Sequence, residues 1–181
     1  MTIFLGSLLS FTRMHLGPIQ KKQVEIDTKK KILGAVMDIS KLTSDEVLSL
    51  YNEKMKSIVI DLDGEEIIQD DGSKLVAEEI NIQKNYKIDP KERKYPVFMF
   101  SSNGEIIDYY IFPMFGNGLW DWISGFIALD EKLNTVVGVA FDHKAETPGL
   151  GARISSEEIQ DRYKGKMIYN QINEVVSVKM L

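Results

Sequence analysis

Residues 116–151 read GNGLWDWISGFIALDEKLNTVVGVAFDHKAETPGLG, two apolar runs framed by two glycine-rich loops. Ile127 to Leu129 and Val136 to Phe141 are short apolar runs, the second rich in β-branched Val, which predicts strands. The second run leads through Asp142 and His143 into Glu146-Thr147-Pro148-Gly149-Leu150-Gly151. There Pro148-Gly149 fits the centre of a type II turn, Pro presetting the first φ and Gly accepting the positive second one. Gly151 leaves a further stretch of backbone bare, where a flat ligand can approach closely. Leu150 offers an apolar contact, and Glu146 and Thr147 offer polar ones at the mouth of the loop. The earlier loop, Gly116-Asn117-Gly118-Leu119-Trp120, adds two bulky apolar side chains. Trp120 and Trp122 alternate across Asp121 and share a side if this stretch is strand. Core or loop packing is the simpler reading of both, as hydrogen bonding within the loop is for His143.

Upstream, Tyr95 to Phe100 turns at Asn103-Gly104 and returns as Glu105 to Pro113, a second hairpin. Ser57 to Leu62 meets Asp63-Gly64 and returns as Glu65 to Ile68, a third. Its acidic residues, Asp61, Asp63, Glu65, Glu66, Asp70 and Asp71, lack calcium-loop spacing and read as a solvated hairpin edge. A helix is expected from Pro18 to about Val36, with Pro18 at its first position and Lys29 to Lys31 on its solvated face. Another is expected over Ser44 to Lys56, capped by Ser44, and a short one over Ser155 to Tyr163. A final strand follows Gly165, and the alternating stretch Glu174 to Leu181 reads as an unfinished strand. The sum is α+β: a single domain with a largely antiparallel curved sheet and flanking helices. The apolar stub 1–17 is set apart from the domain over 18–181, which the unfinished strand marks as incomplete at its C-terminus.

The chain has 181 residues, 44% hydrophobic and 27% charged, the proportions of a globular domain. A net charge of −5 argues against a general nucleic-acid surface. Without cysteine there are no disulfides, thiolate zinc sites or Fe–S ligation. Two histidines, His15 and His143, are far apart in sequence, which speaks against a His-rich metal site. Met1 to Phe11 is apolar but about half the ~20 residues of a membrane-spanning helix. It reads as the remnant of an anchor, a short amphipathic anchor, a signal-peptide remnant or a cloning remnant.

The order of a Gly-Asn-Gly-Leu-Trp turn, two apolar strands, His143 and Glu-Thr-Pro-Gly-Leu-Gly resembles one family's FMN-binding domain. That family is NqrC, a component of the Na+-translocating NADH:quinone (ubiquinone) reductase. The resemblance covers roughly Gln23 to Leu181. It implies FMN as cofactor and electron carriage within a membrane complex that oxidises NADH, reduces quinone and exports sodium ions. NADH and quinone then belong to partner subunits of that complex. No dinucleotide fingerprint follows a strand here, and no membrane-embedded polar residues are present. The resemblance also implies the bacterial inner membrane, with the domain on its periplasmic side, and no catalytic residue of its own. The cofactor-binding set it points to is Gly118, Leu119, Trp120, Glu146, Thr147, Pro148, Gly149, Leu150 and Gly151. In that family the flavin phosphate is attached to a Thr or Ser in a Ser-Gly-Ala-Thr-type motif after the Pro-Gly loop. No such motif occurs here, so the attachment residue is unknown. Two other readings stay open. One is RnfG, the related component of Rnf-type electron-transport complexes, with ferredoxin and NAD as the couple. The other is a non-redox interaction module.

Overall fold

The computed structural model describes residues 2–170, 172 and 174–176. Five strands form one sheet in the order β1-β2-β3-β4-β5, every neighbouring pair antiparallel. They are β1 (Met55–Ile60), β2 (Tyr95–Phe100), β3 (Tyr109–Asn117), β4 (Trp122–Asp130) and β5 (Val136–His143). A register shift at Ala128/Leu129 bends the β4–β5 pair. Helices α1 (Thr2–Gly34) and α2 (Ser44–Lys54) cover one face, and α3 (Ile82–Tyr86) and α4 (Glu157–Asp161) are short. The architecture is the expected α+β one.

Period-2 alternation divides the sheet's side chains between two apolar layers. Phe98, Ile111, Phe126 and Ala128 pack under Ile32, Leu33, Val47 and Tyr51 of the two long helices. Leu129, Val139 and Phe141 face the other way, against Ile154, Tyr163 and Ile168. The C-terminal end of α1 seats directly on β5. A Cβ on Gly138 would lie 2.3 Å from the Ala35 carbonyl oxygen, so only a bare backbone permits this approach.

Several expected boundaries move. Pro18 does not open α1 but lies inside it, and the helix runs back through the apolar N-terminus. Pro18 removes one intrahelical hydrogen bond, on an exposed turn where water can take the freed Met14 carbonyl. The lysines are not a merely solvated face: Lys29 pairs with Glu25, Lys30 donates to Ser44, and Lys31 reaches Asp142. Thr43, not Ser44, caps α2, because Glu46 stands three residues on and accepts the Thr43 N–H at 2.7 Å in return. β1 starts two residues before the expected strand. It pairs with β2, and the segment after Asp63-Gly64 adds only a bridge, Ile60 to Glu66. Asp61 serves that turn, its Oδ1 accepting from the Asp63 and Glu65 N–H groups. β3 begins at Tyr109 rather than Glu105, because Asn103 Oδ1 takes the Glu105 and Ile106 N–H groups and widens the turn. Ser155 does not open a helix over 155–163. A 3-10 turn, Gly151–Ser155, precedes the five-residue α4, and Arg153 takes the Glu158 carboxylate. After Gly165 the backbone makes bridges, Thr135 to Met167 and Tyr169 to Val175, in place of a full strand. Most of the stretch from Glu174 to Leu181 lies outside the described residues.

Candidate functional site

β3 runs on to Asn117, so Gly116 and Asn117 are strand and the turn is Gly118 to Asp121. The Gly118 N–H donates to the Asp121 carbonyl at 2.7 Å, which closes it tightly. Leu119 and Trp120 form the tip, 84% and 70% exposed. Asp121 turns back: its Oδ1 accepts the Trp122 N–H, and its Oδ2 lies 3.0 Å from Lys144 Nζ. The Trp122 N–H, and then Lys144, hold this carboxyl below its usual range. Trp122 itself starts β4 and packs on Phe115, so the two tryptophans do not share a surface.

At the far end of β5, Asp142 pairs with Lys31, and the chain enters the Pro-Gly loop. The Thr147 carbonyl accepts from the Leu150 N–H at 3.1 Å and the Ala152 N–H at 3.2 Å, and Gly149 has φ +77°. This is the turn that Pro148-Gly149 predicts. His143 takes the loop-bonding role, its Nδ1 accepting the Glu146 N–H at 3.4 Å. Thr147 and Pro148 are exposed, and Leu150 is 74% exposed.

Glu146 behaves differently from its neighbours. Its side chain is buried, and Oε1 accepts the Trp120 N–H at 3.0 Å. The same carboxylate fills the space beside Gly118 and Gly151, where a Cβ would stand 2.2 and 2.4 Å from its oxygens. The room at Gly151 is therefore occupied by Glu146. Neither the Glu146 contact nor the Lys31–Asp142 pair is legible as a connection in the sequence. The two bare positions at Gly118 and Gly151 were the only trace of the first.

Leu119, Trp120 and Leu150 thus emerge from adjacent loops as an exposed apolar group. An apolar cavity of about 420 Å³ is lined by Met114, Gly116, Ile123, Phe141, Ile154 and Tyr163. Another of about 410 Å³ lies across the sheet, between α1 and Phe115, Trp122 and Ser124. Both fall within the usual size range of small-molecule pockets. Among the described residues, no group of His, Asp and Glu side chains is arranged to hold a metal ion.

Comparison with known proteins meets this geometry. The FMN-binding domain family matches residues 118–178, from the turn glycine through the Pro-Gly loop and on towards the C-terminus. The crystal structure of the NqrC component of the Na(+)-translocating NADH-quinone reductase from Parabacteroides distasonis superposes with a TM-score of 0.76. It is 32% identical, over 90% of this chain and 74% of that one. This chain belongs to the NqrC family. Among curated NqrC proteins, that of Neisseria meningitidis serogroup A is 30% identical over 167 residues, 86% of this chain and 64% of the relative. That of Haemophilus ducreyi is 26% identical, over 97% of this chain and 71% of the relative. The chain therefore spans about two thirds of the length of these NqrC relatives. The Shewanella oneidensis protein shares the fold, with a TM-score of 0.69 at 20% identity. These matches favour NqrC over the Rnf-type and non-redox readings.

Proposed function

We propose that this chain carries electrons through FMN as the NqrC component of a sodium-translocating NADH:quinone reductase. NADH oxidation, quinone reduction and Na+ export are completed with the other membrane subunits, which hold NADH and quinone. The observation that carries the reading is the exposed apolar group, Leu119, Trp120 and Leu150, set on the two loops that lie within the matched FMN-binding region. Solvent-exposed bulky apolar side chains on two loops joined through Glu146 call for a partner surface, and a flat ring system is one that such residues can wall.

FMN, when bound, supplies redox chemistry that no side chain of this protein offers. The residues' share is placement. Leu119, Trp120 and Leu150 exclude water from the ring, while Thr147, Pro148 and the bare backbone of Gly149 bring polar groups to its edge. The cations flanking the loop, Lys144 and Arg153, are each paired with a carboxylate, Asp121 and Glu158. This supports a phosphate held elsewhere, and in the family's manner covalently, at a residue yet to be assigned.

For location we infer the bacterial inner membrane, with the domain facing the periplasm. Among the described residues no helix is long and apolar enough to cross a membrane.

The test is a titration of the purified chain with FMN, read by flavin fluorescence. Saturable quenching that weakens at least about tenfold in Leu150→Asp and in Trp120→Ala is the expected result. Both side chains are exposed, so the variants fold. Equal quenching in all three proteins would remove these loops from the flavin site.

A further inference from the structure

We infer that Glu146 is a positioning residue: its buried carboxylate latches the β3–β4 turn to the Pro-Gly loop and thereby holds Leu119, Trp120 and Leu150 in one constellation. The inference rests on the flavin reading for its purpose but not for its geometry.

The glycines make the argument. Gly149 has a positive φ and nothing within 4 Å of where a Cβ would stand, so backbone conformation alone demands it. Gly118 and Gly151 are the reverse. Neither has a positive φ, so no left-handed backbone demands glycine there, yet a Cβ at either would strike the Glu146 carboxylate. At Gly151 all three nearest atoms belong to Glu146: Oε2 at 2.4 Å, Cβ at 3.1 Å and Cδ at 3.2 Å. At Gly118 the Asp121 carbonyl, 2.8 Å away, shares the space with it. Two residues are thus bare to admit one carboxylate, which in turn accepts the Trp120 N–H. A buried carboxylate carries a large desolvation cost unless hydrogen-bonded, so the latch closes only with both loops in place. Glu146 is itself oriented by its own N–H, donated to His143. The Asp121–Lys144 pair joins the same two segments on the outside, where solvent screens it.

A latch of this kind makes Gly151 and Glu146 energetically dependent. Gly151→Ala is expected to raise the unfolding equilibrium constant by about tenfold more in the native background than in Glu146→Ala, where the clashing oxygens are gone. Additive effects in that double-mutant cycle would overturn the latch, whatever the protein does with flavin. A second readout separates positioning from bulk stability. In native buffer, far below the unfolding temperature, Glu146→Ala is expected to speed hydrogen exchange at the Trp120 amide and to weaken FMN binding at least about tenfold. Glu146→Gln keeps an acceptor oxygen for that amide and is expected to restore both. Exchange at Trp120 unchanged in Glu146→Ala would likewise overturn the inference. Non-additivity and faster exchange in a chain that quenches no FMN would uphold the latch and refute the flavin reading instead.

Discussion

Asp142 closes the end of β5 nearest the site, accepting from Lys31 and from the His143 N–H. Burial pushes its carboxyl up, but the Lys31 and His143 interactions outweigh that and hold it below the usual carboxylate range. A depressed folded-state pKa stabilises the protein above the unfolded value, near 4, and the contribution is lost as pH falls through the folded one. Both partners are over a third exposed, so solvent screening leaves about 0.5–1 kcal/mol. Asp142→Asn is therefore expected to lower stability by that amount at about pH 7 and by almost nothing near pH 2–3, in urea titrations at each pH. A constant difference would assign the effect to packing. The same residues mark how far a sequence reaches at this scale. Pro148-Gly149 announces its turn because the constraint is local. Glu146 meets Trp120 across 26 positions and Lys31 meets Asp142 across 111, and nothing in the intervening residues encodes either meeting.

Elements were legible where side-chain periodicity and turn chemistry agree. β2 occupies the six residues expected of it, bounded by a proline-containing loop before and Asn103-Gly104 after. β3 slipped where a side chain captured backbone groups, as Asn103 does after β2, and the cap of α2 moved to Thr43 for the same kind of reason. The glycine-rich turn lost its first two residues to β3, which pairs along nine positions with β4. Gly138 tests how elements meet. Its φ is ordinary, and the Ala35 carbonyl is backbone that cannot rotate away. Gly138→Ala is expected to cost about 1–3 kcal/mol through overpacking, measured by urea unfolding. A neutral result would mean that the end of α1 does not rest on β5.

At the scale of the molecule, α1 spans 33 residues, about 50 Å at 1.5 Å per residue. Its first buried side chain among the described ones is Ile26, while Phe11, Met14, Leu16 and Ile19 are exposed. Removing residues 1–20 is therefore expected to shift Tm by less than about 3 °C, by thermal denaturation. A larger fall would show that the outer helix supports the domain. The overall α+β architecture was legible because the strands are nearest neighbours in sequence as well as in space. The reach of α1 was not, since Pro18 reads as a beginning. The seat of α1 on Gly138 also fixes an order of events during synthesis. The helix leaves the ribosome about 100 residues before its landing strand, some 5–20 s at ordinary elongation rates. Through that interval α2 is the first layer available to shelter Ile32 and Leu33, and closure of the domain waits for β5.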